Sequence, residues 1–320
     1  MRVLIVKTSS MGDIVHALPA ASDMARAMPG IRIDWLVEQS FASIPAHHPA
    51  VARVIPLQWR KWRKRLLSAD SMTALRDFKA QLTLQPYDLV IDMQGLIKSA
   101  LFACLAHGPR GGWNWSSARE PMVSLLYQRK ANAPWSAHAV HRCRTMVAQL
   151  LDYALPATPP DFGLQPGAAT WLPEGRQPFS VLVPCASRPE KLWPEADWTA
   201  LARHLKSLGQ QVVVLWGSPA EHERAQRIVQ ASCAVVPPFL SVEQAMQLMA
   251  QAQTVVGLDT GLTHIAAALG RPTLGIYCDY EPGLAGVTGS GPVISLGGKR
   301  QIPTRADVMA ALARLQTTAA

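Results

Sequence analysis

Short runs of β-branched and aliphatic residues alternate with longer amphipathic stretches along this chain, and the alternation restarts after an interval crowded with proline. Residues 3–6, 33–37, 54–57 and 89–91 read as strands, separated by helical stretches such as 15–27 and 72–84. Beyond the interval, strands are predicted near 180–183, 212–216, 234–236, 255–258 and 274–277, with helices near 195–208, 220–231 and 242–250. A last helix at 305–316 suits either half. Continuous apolar strands joined by helices belong to parallel sheets covered on both faces. The interval between Pro156 and Pro178 also holds Pro159, Pro160, Pro166 and Pro173, a density that regular structure rarely tolerates. The prediction is an α/β protein of two domains, 1–160 and 161–320, each with its own parallel sheet. Ligands then sit at the carboxyl ends of the strands, in a cleft between the domains.

A chain of 320 residues is long enough for two cores, and 49% hydrophobic against 17% charged residues excludes a disordered chain. No run reaches 18 apolar residues, so no membrane span is expected, and the apolar run at 3–6 is too short for a signal segment. Cys104, Cys143, Cys185, Cys233 and Cys278 are scattered without CxxC or Cys/His ligand spacing. They predict a reduced, cytoplasmic protein without structural zinc. The net charge of +9 is unevenly placed: residues 1–160 carry 19 Lys and Arg against 10 Asp and Glu, whereas residues 161–320 carry 12 against 12. A basic half beside a neutral half points to two half-sites with different ligands.

Two strand-to-helix turns stand out. After the strand at 255–258, Asp259-Thr260-Gly261-Leu262-Thr263-His264 leads into an apolar helix closed by Gly270, with Arg271-Pro272 barring its continuation. Such a turn aims unpaired N–H groups and the positive end of the helix dipole above the strand, a seat for phosphate. In the plainer reading Asp259 only caps the helix. The first strand leads likewise through Lys7-Thr8-Ser9-Ser10-Met11-Gly12-Asp13 into a helix, with neither GxGxxG nor a P-loop pattern. Asp13 is either a helix cap or a general base for a substrate hydroxyl, and His16 either orients Asp13 or, more simply, lines the helix.

Trp59-Arg60-Lys61-Trp62-Arg63-Lys64-Arg65 places five cations and two tryptophans in seven residues. A charge run is usually a solvated face, but two tryptophans are costly to display without a partner. The segment suits single-stranded nucleic acid, an anionic membrane surface or a phosphorylated, carboxylated glycolipid. No nucleic-acid-binding module accompanies it, which disfavours the first. Trp113, Trp115 and Trp135 fit core and surface equally.

Taken together, residues 7–19, the stretch Asp92-Met93-Gln94-Gly95-Leu96-Ile97-Lys98-Ser99-Ala100, Arg119-Glu120-Pro121 and the 259–264 turn resemble the lipopolysaccharide heptosyltransferases of glycosyltransferase family 9. The resemblance runs in order over nearly the whole chain. It is strongest toward the members that add the first inner-core heptose to the Kdo sugars of lipid A. It implies a GT-B architecture of two Rossmann-like domains, an N-terminal acceptor half and a C-terminal donor half. It also implies an ADP-L-glycero-β-D-manno-heptose donor and inverting chemistry without a bound metal. Asp13 takes the position of the catalytic base, and Lys191 that of a cation opposing the charge on the departing diphosphate. Ser187 and Arg188 fall in the same phosphate loop. Asp259, Thr260, Gly261, Leu262 and His264 match the donor turn, and Glu221 matches a carboxylate for the ribose hydroxyls.

On the acceptor side the resemblance implies Ser10, Gly12, Arg60, Lys61, Arg63, Lys64, Lys98, Arg119 and Glu120, the last two also readable as a local ion pair. The loop at 184–191 departs from the family pattern, with Cys185 where His is common and Pro189 among polar residues. The implied partners are the anionic glycolipid and the cytoplasmic face of the inner membrane, with no nucleic acid. Two other readings stay open: a sister specificity transferring heptose to heptose, and a non-catalytic protein that binds ADP-sugar or anionic glycolipid. The presence of Asp13 argues against the non-catalytic one.

Overall fold

The computed structural model describes residues 1–64, 68–172 and 177–319. The chain divides into two compact units, Met1–Gln165 and Pro166–Ala320, each with a parallel sheet of its own.

The first unit runs β1 (Arg2–Val6), α1 (Met11–Ala27), β2 (Arg32–Glu38), α2 (Ser43–Ala46), β3 (Val51–Leu57), α3 (Trp59–Trp62), α4 (Ala69–Leu82), β4 (Leu89–Asp92), α5 (Ile97–Leu105), β5 (Arg110–Trp113), β6 (Arg129–Ala131) and α6 (Ala139–Leu151). Its six strands are parallel in the order β3-β2-β1-β4-β5-β6. Crossovers leave in opposite directions from the boundary between β1 and β4, which opens a crevice at the carboxyl ends of those two strands. Val3, Leu4, Ile5 and Val6 are wholly buried because helices cover both faces of the sheet. Strands β5 and β6 escape the sequence pattern, since Arg-Gly-Gly-Trp and Arg-Lys-Ala lack a β-branched run. Packing explains the glycine: a Cβ on Gly112 would collide with the Tyr127 ring, whose hydroxyl donates to Asp92 at 2.7 Å.

The second unit runs β7 (Phe179–Val183), α7 (Glu195–Ser207), β8 (Gln211–Val214), α8 (Pro219–Gln230), α9 (Val242–Met249), β9 (Thr254–Leu258), α10 (Gly261–Ala268), β10 (Thr273–Tyr277), α11 (Pro282–Ala285), β11 (Val293–Gly297) and α12 (Arg305–Ala319). The parallel order β11-β10-β9-β7-β8 puts the switch point between β7 and β9. Helix α7 turns Trp198, Leu201, Ala202 and Leu205 inward at helical spacing, all wholly buried. Each of the large ones contributes roughly 1.5–3 kcal/mol of burial. The final helix, α12, packs on β10, β11 and α7, all in this unit. The stretch at 234–236 makes only an isolated bridge, Val213 to Val235, rather than a strand. The half-buried edge strand β11 takes the place of a fifth strand instead.

The boundary lies five residues beyond the expected 160/161 because residues 161–165 pack back on the first unit. Asp161 pairs with Arg26 at 2.6 Å, Phe162 is buried, and the N–H of Gln165 donates to the His47 carbonyl. Pro173, part of the proline-dense interval, lies outside the described residues.

Candidate functional site

In the first unit the crevice between β1 and β4 holds the loop that carries Asp13. Asp13 Oδ2 accepts from the Ser10 backbone N–H at 2.9 Å and the Ser10 hydroxyl at 2.7 Å, closing the first turn of α1. Its Oδ1 lies 4.0 Å from Lys7 Nζ, and the side chain is 42% exposed. Both readings of Asp13 are therefore compatible: one oxygen caps the helix and the other stays available. Burial alone would raise this carboxyl, but the Lys7 ammonium, the two Ser10 bonds and His16 together hold it below the ordinary carboxylate range. A carboxylate this acidic takes a proton only from a hydroxyl whose own acidity rises as its oxygen bonds to carbon. Ser10 is exposed and Gly12 half-buried on the same turn.

In the second unit the switch point brings together the loops after β7 and β9. Lys191 Nζ donates to Asp259 Oδ2 at 2.5 Å, and His264 Nε2 lies 3.5 Å from Asp259 Oδ1. Burial pushes against the charged carboxylate, yet His264 and Lys191 outweigh it and keep Asp259 below the usual range. The Asp259 carboxylate thus faces Lys191 and His264 rather than capping α10, and Thr260 at the cap position makes no side-chain cap bond either. The N–H groups of that helix start are left for an anion. The turn is rigid: Thr263 Oγ1 donates to the Leu258 carbonyl at 2.6 Å, in space that a Cβ on Gly257 would fill. Ser187 and Arg188 are exposed on the loop after β7, with Arg188 3.9 Å from Asp279. Gly261 and Leu262 are half-buried in the first turn of α10. Glu221 Oε2 accepts from the Gly217 N–H at 2.7 Å, at the start of α8 and the carboxyl end of β8. Below it Cys185 is buried, its thiol pushed up to about 12 by burial, and donates to the Glu221 carbonyl.

The basic segment differs from its sequence reading. Trp62 is buried against Phe78, with ring centroids 5.5 Å apart, and Trp59 is half-buried edge-on to Phe102 at 5.6 Å. At i, i+3 the two indoles share one inward face of α3, so they are core residues and not a displayed aromatic platform. Arg60, Lys61, Arg63 and Lys64 are exposed on the outside, and Arg65 lies outside the described residues. Lys98 is half-buried and Arg119 exposed. Glu120 does not pair with Arg119; its carboxylate accepts from the Ile97 N–H at 2.6 Å and caps α5. Trp113 is core, whereas Trp115 and Trp135 are exposed.

The model of glycosyltransferase family 9 (heptosyltransferase) matches residues 75–307. Lipopolysaccharide heptosyltransferase 1 of Escherichia coli K12 is 44% identical over 296 residues, which cover 92% of this chain and 93% of that protein. The chain belongs to glycosyltransferase family 9. Among solved structures, the E. coli heptosyltransferase WaaC with ADP superposes with a TM-score of 0.90 at 41% identity, covering 98% of this chain and all of that one. The same E. coli enzyme with ADP-2-deoxy-2-fluoro heptose gives 0.85 at 39% identity, covering 98% and 99%. The two parallel α/β units are those of the GT-B class.

Several further side chains hold these loops in place or pack beside them. Gln94 clasps the Asp13 loop: its Oε1 accepts from Thr8 N, Thr8 Oγ1 and Ser9 N, and its Nε2 donates to the Ser9 carbonyl at 2.6 Å. Beneath it the buried Asp92 accepts from the N–H groups of Gln94 and Gly95 and from Ser99 and Tyr127. His138, at the start of α6, stands edge-on to His16 with centroids 5.8 Å apart. Arg224 ties down the loop after β7 through the carbonyls of Pro184 and Trp193 and through Glu195. Its position one turn beyond Glu221 on α8 is the only local sign of that role. Tyr280 places its ring 5.6 Å from Lys191 Nζ, bringing in the loop after β10. Among the described residues no group of three or more His, Cys, Asp or Glu side chains is arranged to hold a metal ion.

Proposed function

We propose that the protein is an inverting glycosyltransferase that moves L-glycero-D-manno-heptose from ADP-heptose to the Kdo of Kdo-lipid A, in assembly of the lipopolysaccharide inner core. The observation that carries the reading is a division of labour between two switch-point turns. One offers an ionised carboxylate with an open oxygen; the other offers an ammonium beside an uncapped helix start. The names and ligands of the E. coli relatives, a lipopolysaccharide heptosyltransferase and its complexes with ADP and an ADP-heptose analogue, agree with it.

The chemistry follows from those groups. The acceptor hydroxyl oxygen bonds to the anomeric carbon as the bond from that carbon to the diphosphate breaks on the opposite face. The electron pair leaves on the β-phosphate, where Lys191 and the N–H groups at the start of α10 oppose the charge. The hydroxyl proton passes to Asp13 Oδ1. Ser187 and Arg188 flank the diphosphate, Thr260, Gly261, Leu262 and His264 shape its seat, and Glu221 takes the ribose hydroxyls. Arg60, Lys61, Arg63, Lys64, Lys98 and Arg119 meet the phosphates and carboxylates of the glycolipid, while Ser10, Gly12 and Glu120 shape the turns beneath. Because that acceptor is borne by a membrane, the protein works peripherally at the cytoplasmic face of the inner membrane. No described helix is long and apolar enough to cross one.

The test is incubation of purified protein with ADP-heptose and Kdo-lipid A, reading ADP release and product mass together. One heptose gained per ADP released is expected. Release without mass gain, or turnover only with a heptose-terminated acceptor, would overturn the assignment.

A further inference from the structure

We propose that the outer face of α5, together with the Pro121–Leu126 turn, docks the first unit on an anionic lipid bilayer. Helix α5 is apolar on both sides. Ala100, Phe102 and Ala103 point into the core, while Ile97, Leu101 and Cys104 recur at i, i+4 and i+7 on the outside. Ile97 is 51% exposed and Leu101 58%. A helix apolar all round is ordinarily buried. The 3₁₀ turn Pro121–Leu126 packs beside α5 and repeats the arrangement: Val123 and Ser124 are buried, while Met122 is 64% and Leu125 69% exposed, with Leu126 beside them. Glu120, just before the turn, bonds the first N–H of the helix and holds the two elements together. Such grouped apolar side chains mark an interaction surface, not scattered exposure.

Charge selects the partner. Residues 93–151 carry seven Lys and Arg and a single acid, Glu120, whose carboxylate is engaged by the Ile97 N–H. Arg119, Arg129 and Lys130 are exposed within that span. The neighbouring α3 rests on the same helix through Trp59 and Phe102, and it carries the exposed Arg60, Lys61, Arg63 and Lys64. Helix α4, which meets α5 through Phe78 and Phe102, carries Asp70 and Asp77 against Arg76 and Lys79 and leaves that excess of cations in place. An apolar patch on a unit with this excess is complementary to acidic headgroups over an acyl layer. The proposal deepens the heptosyltransferase reading, since the acceptor is then met in the bilayer on which the enzyme sits.

Flotation of the full chain with vesicles of phosphatidylglycerol and phosphatidylethanolamine, and separately of phosphatidylcholine, tests it. The protein is expected to float with the anionic vesicles only. Leu101→Ser/Met122→Ser/Leu125→Ser should weaken that partition about tenfold or more, by loss of buried apolar area. It should leave the melting temperature and turnover of a water-soluble, O-deacylated acceptor unchanged. Leu125→Trp should bind more tightly, its indole fluorescence shifting to the blue on vesicle addition. Unchanged partition of the triple variant overturns the proposal, as does equal binding to phosphatidylcholine. A fall from dimer to monomer in the triple variant would assign the face to a second copy instead. Failure of the wild-type chain to turn over even the soluble acceptor would reject the enzyme reading, while flotation still judges the face.

Discussion

Replacing Lys191 by Met separates its contact with Asp259 from its proposed contact with the donor diphosphate. The ammonium is bonded to Asp259, whose side chain is only 12% exposed, and it stands beside an uncapped helix start. Removing it takes a charge-assisted contact from a bound diphosphate, roughly 1.5–3 kcal/mol, so ADP should bind about 10- to 150-fold more weakly. It also leaves the Asp259 carboxylate beside the His264 ring without its ammonium partner, a cost of about 1–3 kcal/mol, or roughly 2–10 °C in the melting temperature. Because Asp259 is held below its ordinary value of 3.8, its stabilising contribution is present above that value and is lost as pH falls through the folded pKa. Without Lys191, burial is left opposed mainly by His264, so that acid limb should move to higher pH. Adding Asp259→Asn removes the uncovered carboxylate. Calorimetric titration with ADP beside thermal melts decides the matter: the double variant should recover stability but not affinity. If affinity returns too, Lys191 acts only by neutralising Asp259, and its contact with the diphosphate is refuted.

Other outcomes follow from single contacts. Asp13→Asn keeps an oxygen for the Ser10 cap but loses the ionised group; turnover should fall about 10²–10⁴-fold while ADP affinity stays within about twofold, and retained turnover would remove Asp13 from the chemistry. Lys7→Met withdraws the charge that most lowers the Asp13 carboxyl, so the acid limb of kcat/KM should shift upward in pH; an unmoved limb would show that Lys7 is only structural. Glu221→Ala should weaken ADP about tenfold yet leave pyrophosphate binding unchanged, as expected of a ribose contact and not of a phosphate contact. Gly257→Ala forces a methyl against Thr263 Oγ1 and should cost about 1–3 kcal/mol in denaturant unfolding; a neutral effect would mean the turn is not tightly packed.

Most strands were legible because buried parallel strands leave unbroken aliphatic runs, as in Val3–Val6 and Val181–Val183. Where glycine or charge interrupts the run, in β5 and β6, only Tyr127 crossing Gly112 reveals the strand, and that is a tertiary fact. The two turns could be found because helix starts are written in neighbouring residues, Ser10 with Asp13 and Thr260 with Gly261. Gln94 and Arg224 could not, since each acts on a loop distant in sequence. In α3 the density of charge masks the role of the tryptophans, whose i, i+3 spacing puts Trp59 and Trp62 on one face. The domain boundary slipped because proline density marks irregular chain but not the side it packs on, which Phe162 and Asp161 decide.

The capping of α1 makes the two oxygens of Asp13 chemically unequal. Ser10 occupies one of them, so a proton can be received only from the direction that the other faces. A sugar acceptor presents several hydroxyls of similar acidity, and a symmetric, freely turning carboxylate would distinguish poorly among them. A base fixed by the first turn of a helix admits one approach alone. In the proposed mechanism, the regiochemistry of glycosylation is a by-product of how a helix begins.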